Sequence, residues 1–231
     1  MGLFEAISGQ AWLAWFGLFL GLIALNELVR ASKWAALVIF CLVPIVLTPY
    51  WLSNEHELRT WFIWSKTYSI IAFALLVLFI RFFDFHVKNK WFLFIPALLL
   101  VINILEAVLR EWEYGTAVEV TELGGLTRIA GDWNLLNAVA GILCMLSISG
   151  WMAIQSNNPR RDMVWADQIP AWLIAYNLWH FAFIYNLAPD QAFYTGLAVN
   201  LAALVPALLW ASGKWMQTRV FTLAFYMLCL V

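Results

Sequence analysis

Residues 170–186 read Pro170-Ala-Trp-Leu-Ile-Ala-Tyr-Asn-Leu-Trp-His-Phe-Ala-Phe-Ile-Tyr-Asn186. The run is long and apolar enough to cross a bilayer, yet it carries Tyr176, Asn177, His180, Tyr185 and Asn186. On a helix Asn177 and His180 (i, i+3) share a face, and Tyr176 with His180 (i, i+4) flanks it. Polar side chains at membrane depth are costly and turn towards a protein interior, a partner or water. The stretch therefore reads as a helix inside a bundle, its polar face set on a hydrogen-bonded network or a cavity.

The rest of the chain fits that setting. Of 231 residues 64% are hydrophobic and 12% charged, with a mean hydropathy of +0.81. A soluble domain carries about 25% charged residues and no series of twenty-residue apolar runs. The net charge of −1 lacks the clustered Lys and Arg of a nucleic-acid partner. The 15 Trp suit membrane interfaces. Cys41, Cys144 and Cys229 lie far apart in apolar runs and form neither a disulfide framework nor a CxxC metal site. Residues 1–10 hold Glu5 and no basic residue, so the positive start of a signal peptide is missing.

Hydropathy divides the chain into eight segments, at about 11–29, 34–52, 61–83, 91–110, 133–155, 169–187, 191–211 and 217–231. The last is short for a hydrocarbon core of about 30 Å, which suggests a natural chain continuing past Val231. One set of connections holds Arg30, Lys33, Arg81, Lys88, Lys90, Arg160, Arg161, Lys214 and Arg219; the other holds Arg59, Arg110 and Arg128. That bias puts the basic connections in the cytoplasm and the N-terminus outside. The loop at about 111–132 is then external and acidic, with Glu111, Glu113, Glu119, Glu122, Asp132 and the pair Gly124-Gly125. The expected fold is a single all-α integral membrane bundle of about eight transmembrane helices over 1–231.

On this topology the polar residues concentrate in the outer half of segments three to six. The candidate ligand-binding set is Lys66, Asn103, Glu106, Arg110, Asn134, Asn137, Tyr176, Asn177, Trp179 and His180. A charge at mid-membrane costs about 2.5–3.5 kcal/mol on insertion scales, so Lys66 and Glu106 need pairing or water. A satisfied network would have Glu106 reaching Arg110, Lys66 pairing with Glu106, and the Asn amides bonding across helices. An outward-facing pocket lined by Trp61, Trp64, Trp133, Trp172 and Trp179 would instead take up a small polar or cationic solute. His180 fits an interior hydrogen bond as well as a ligand contact, and His56 and His86 sit at opposite helix ends, which disfavours a metal triad. Glu27 and Arg30 read as local pairing with snorkelling. Pro44, Pro49, Pro96 and Pro206 suggest kinks that bilayer helices tolerate, and Asn200 is a further cavity candidate.

The runs Ile102-Asn-Ile-Leu-Glu-Ala-Val-Leu-Arg110, Trp133-Asn-Leu-Leu-Asn-Ala-Val-Ala-Gly-Ile-Leu143, Ser147-Ile-Ser-Gly-Trp-Met152 and 176–186 together resemble a group of bacterial multi-pass membrane proteins known only as a domain of unknown function. The resemblance spans nearly the whole chain and implies a bacterial cytoplasmic membrane. It supplies no activity. Glu106-xxx-Arg110 is similar to part of the Glu-Glu-xxx-Arg motif of prenyl-protein endopeptidases, but Leu105 replaces the first Glu and no second intramembrane His exists. A retinal protein would need a Lys in the middle of the seventh helix, which has none.

The leading functional expectation is a small-solute or ion transporter or channel, without cofactor or metal. The alternatives are a membrane enzyme acting on a lipid-linked substrate, and a sensor or assembly protein using its external loop. Oligomeric state is not legible from the residues.

Overall fold

The computed structural model describes residues 8–53, 61–83, 89–116 and 131–230. Among them run eight helices: α1 (Gly9–Ala31), α2 (Lys33–Ser53), α3 (Trp61–Phe82), α4 (Trp91–Gly115), α5 (Asp132–Leu146), α6 (Pro170–Leu187), α7 (Ala192–Leu209) and α8 (Trp215–Leu230). Five of them, α1 to α4 and α7, are long and apolar enough to cross a membrane. The chain is an all-α membrane bundle. Glu119, Glu122, Gly124, Gly125 and Arg128 of the acidic loop lie outside the described residues, as do His56, Arg59, His86 and Lys88.

Local chemistry sets the helix ends. The Ser8 hydroxyl accepts from the Ala11 N–H at 3.2 Å and starts α1. Ser32 serves two helices: its N–H donates to the Leu28 carbonyl at 2.9 Å, and its hydroxyl accepts from Ala35 N–H at 3.2 Å to begin α2. Pro44 supplies no N–H for the carbonyl four residues back. The turn before it, Val38–Leu42, is widened to π-helical spacing, with Val43 N–H bonded to Val38 O. The first half of α7, Ala192–Val199, is widened in the same way.

Side-chain partners show an up-and-down arrangement. At one end the C-termini of α1 and α3 meet the N-terminus of α8 around Asp162. At the other, the C-termini of α4 and α6 meet the N-terminus of α5 around Glu111. Trp12, Trp61, Trp112 and Trp133 are exposed at the Glu111 end, and Trp34, Trp91 and Trp210 at the Asp162 end. Trp91 and Trp112 bracket α4, roughly 31 Å apart at 1.5 Å per residue, against a hydrocarbon core of about 30 Å. The two rings of indoles are the aromatic belts of a membrane protein.

Two expected boundaries shift. The fifth segment, read as 133–155, stops at Leu146. Ser147 caps it, and Gly150 then turns the chain with φ +63°, a conformation that favours glycine; a Cβ there would collide with the Asp167 carboxylate. The following chain to Ile169 is irregular, with one antiparallel bridge between Gln155 and Val164, and it sends several side chains into the interior. Met163 and Trp165 are fully buried. Trp165 N–H donates to Gly213 O at 2.7 Å, and its indole N–H donates to Ser149 O at 3.2 Å. The eighth helix begins at Trp215, so Arg219, counted with the basic connections, lies one turn inside it.

Gly141 lets α5 approach α4 and α6 closely. A Cβ there would stand 2.5 Å from Val108 Cγ2 and 2.9 Å from the Trp179 ring. This contact fixes where the polar groups of α4, α5 and α6 face one another.

Candidate functional site

Three polar clusters occupy the helical interior. The first joins α3 to α4. Ser65, Lys66 and Ser69 share a face of α3, and Asn103 with Glu106 (i, i+3) share one of α4. Lys66 Nζ donates to Asn103 Oδ1 at 2.6 Å, to Asn103 O at 2.7 Å and to Glu106 Oε2 at 3.4 Å. Ser65 and Ser69 hydroxyls donate to the two Glu106 oxygens at 3.0 and 3.2 Å, and Asn103 Nδ2 donates to Ser69 Oγ at 3.3 Å. An ammonium has three donors, and all three are taken. The expected Lys66–Glu106 pair forms, and the cluster is closed on itself. Arg110 turns away from Glu106: it pairs with Glu113 and lies over the rings of Tyr114 (4.6 Å) and Trp61 (5.7 Å).

The second cluster centres on Glu111, which lies within α4 rather than in the loop where hydropathy placed it. Its side chain is nearly fully buried, at 2% exposure. Asn137 Nδ2 donates to Oε1 at 2.7 Å, Asn186 Nδ2 donates to the same oxygen at 3.2 Å, and Asn134 Nδ2 donates to Oε2. Three amides from α5 and α6 thus converge on one carboxylate, which makes no ion pair among the described residues. Beside it a cleft of about 530 Å³ opens between α5 and α6, lined by Trp133, Leu136, Asn137, Ala140, Tyr185 and Asn186. Two of the three amides therefore line the cleft while bonded to the buried acid.

The third cluster joins α6 to α8. Arg219 Nη2 donates to His180 Nε2 at 2.9 Å. Tyr176 stacks on His180 (6.0 Å between centroids) and meets Trp215 edge-on (4.8 Å). Trp179 donates its indole N–H to Asn137 O at 2.9 Å, which ties this cluster to the second. Asn177 donates to its own helix at Leu173 O and, with Asn200, lines a separate cleft of about 340 Å³ between α6 and α7.

Outside the helices, Asp162 holds the opposite end together. It is fully buried. Its Oδ2 accepts from Arg30 Nη2 (2.9 Å) and Nε (3.3 Å) and faces Lys214 Nζ at 3.4 Å; its Oδ1 accepts from Gln217 Nε2 at 2.8 Å. Burial alone would raise this carboxyl, but the hydrogen bonds from Arg30 and Gln217 and the charges of Arg30 and Lys214 hold it below the ordinary carboxylate range. Arg30 is accordingly buried, not snorkelling, and bonds Glu27 as well.

The ten candidate residues thus fall into separate groups. Lys66, Asn103 and Glu106 form one; Asn134 and Asn137 meet at Glu111, at the edge of the loop expected from hydropathy; Tyr176 and His180 meet at Arg219, one of the basic residues expected in the connections. Among the described residues Arg110 and Asn177 hydrogen-bond within their own helices. Trp179 bridges two groups. Among the described residues no three His, Cys, Asp or Glu side chains are placed to hold a metal ion.

Residues 5–231 match the model of a family described as a family of unknown function, DUF5692, and the chain belongs to that family. No curated protein and no solved structure matches it.

Proposed function

We propose that this DUF5692 family member is a solute-binding membrane protein of the transporter class, and that its ligand is a small amine-bearing amphiphile held in the cleft between α5 and α6. The observation that carries the reading is Glu111. A buried carboxylate without a cationic partner is costly, and near the C-terminus of its own helix it also faces the negative end of the macrodipole. A bound cation offsets both. Asn137 and Asn186 each direct an N–H to Glu111, which leaves their amide carbonyls as acceptors for a donor in the cleft. Trp133, Leu136, Ala140 and Tyr185 supply an apolar wall for a short hydrocarbon tail. The excess of Lys and Arg at the Asp162 end supports placing that end in the cytoplasm. The cleft then opens in the outer half of what the sequence resemblance implies is a bacterial inner membrane.

The test is a titration of purified protein with n-alkylamines of increasing length. Affinity should rise with each methylene by up to about 0.8 kcal/mol until the cleft is full. Glu111→Gln should weaken binding at least tenfold, about 1.4 kcal/mol, with helical content unchanged. Equal affinity in wild type and Glu111→Gln, or no saturable binding of any amine, would refute the proposal. A membrane enzyme acting on a lipid-linked substrate has one supporting observation, the cleft holding Asn177 and Asn200. However, a carboxylate and His180 do not share a point there: Glu106 is bound to Lys66, and His180 to Arg219.

A further inference from the structure

Arg219 presents a charge that the fold leaves unbalanced. It is 3% exposed, and a guanidinium keeps its charge in proteins. Every other buried cation described above has an anionic or carbonyl partner: Lys66 has Glu106, Arg30 has Asp162 and Glu27, and Arg81 has the carbonyls of Val29 and Arg30. Among the described residues Arg219 has no anionic partner; its polar neighbours are the His180 imidazole at Nη2 and the Tyr176 phenol. Its Nε and Nη1 have no hydrogen-bond partner among the described residues. Lys66 lies within electrostatic range of both Arg219 and His180 and adds to the positive field. Removing an uncompensated charge from water costs several kcal/mol, and two unsatisfied N–H groups add to this. A monovalent anion beside Nε and Nη1 removes both penalties.

We infer that α6 and α8 enclose an internal anion site, centred on Arg219 and walled by His180, Tyr176 and Trp215. Its occupant is a halide-sized anion. The walls are buried aromatic residues, among which desolvating a multivalent phosphate costs far more than desolvating a monovalent anion. The site is distinct from the amine cleft at Glu111 and does not depend on it.

The experiment is thermal unfolding of the purified protein in sodium chloride or bromide against sodium gluconate at constant ionic strength. Wild type should show a saturable rise of the midpoint with halide, on the order of 5 °C at a hundredfold excess over Kd. Arg219→Gln should lose that rise, while Glu111→Gln keeps it. Absence of a halide response in wild type overturns the inference, as does an equal response in Arg219→Gln. Should Arg219→Gln fail to fold, bromide-grown crystals of wild type decide the question. An anomalous peak within hydrogen-bonding distance of Arg219 Nε or Nη1 supports the site, and bromide only elsewhere overturns it.

Discussion

Replacing Asp162 by Asn tests whether the irregular 147–169 segment is what fastens one end of the bundle. The substitution keeps the size but removes the charge facing Arg30 at 2.9 Å and Lys214 at 3.4 Å, and it turns one acceptor oxygen into an amide donor. Arg30 would be left buried with Glu27 as its carboxylate partner. Breaking a buried ion pair from one side typically costs about 3–5 kcal/mol. For a chain of this length that corresponds to roughly 6–20 °C in Tm, readable by circular dichroism in detergent. Glu27→Gln, on the half-exposed partner, should cost under about 1 kcal/mol. The pH dependence has a defined sign. Folding holds the Asp162 carboxyl below its usual range, so its contribution is fully present above the unfolded value of about 3.9 and is lost as pH falls through the folded value. Wild type should therefore lose stability on acidification below about pH 4 more steeply than Asp162→Asn. A loss under about 1 kcal/mol in Asp162→Asn, or matching acid profiles, would show that the segment rests on the bundle without fastening it.

Lys66→Met should cost about 3–5 kcal/mol by stranding Glu106 among two serine hydroxyls, and Lys66→Met with Glu106→Gln should recover part of it; identical melting of single and double variants would contradict the closed-network reading. Gly141→Leu should destabilise by about 1–3 kcal/mol or more, because α5 must move away from Val108 and Trp179. Far-ultraviolet circular dichroism with thermal melts would measure both, and the Gly141 variant should also disturb the cleft beside Glu111.

Hydropathy located the eight helices found among the described residues, five of which are long and apolar enough to cross a membrane. It also found the Lys66–Glu106 pair, since two charges in facing spans have few other ways to be tolerated. What it misread lies within a turn or so of a helix boundary. Glu111 and Arg219 each sit where a charge ordinarily reaches water, so composition alone assigns them to loops; the packing of α5 against α4 buries the first, and that of α8 against α3, α7 and α1 buries the second. The same ambiguity ran the fifth span too long. Ile148, Trp151 and Ile154 are as apolar as a continuing helix, and the break rests on Gly150, one residue whose left-handed backbone leaves little compositional trace. Asp162 carries no such signal, because a lone acid among Asn158, Arg160 and Arg161 has the composition of an ordinary hydrophilic loop.

The segment around Asp162 also bears on how the protein is made. Its partners come from opposite ends of the chain: Arg30 is 132 residues earlier and Gln217 is 55 later. The ribosome must complete α8 before this end can be tied. Until then Asp162 lacks Gln217 at its Oδ1, and Met163 N–H waits for Gln217 Oε1 at 2.6 Å. Closure of this end is thus a late, long-range step of assembly. A chain stalled before α8 would show its unpaired polar groups to the cell's proteolytic surveillance, however well its earlier helices had inserted.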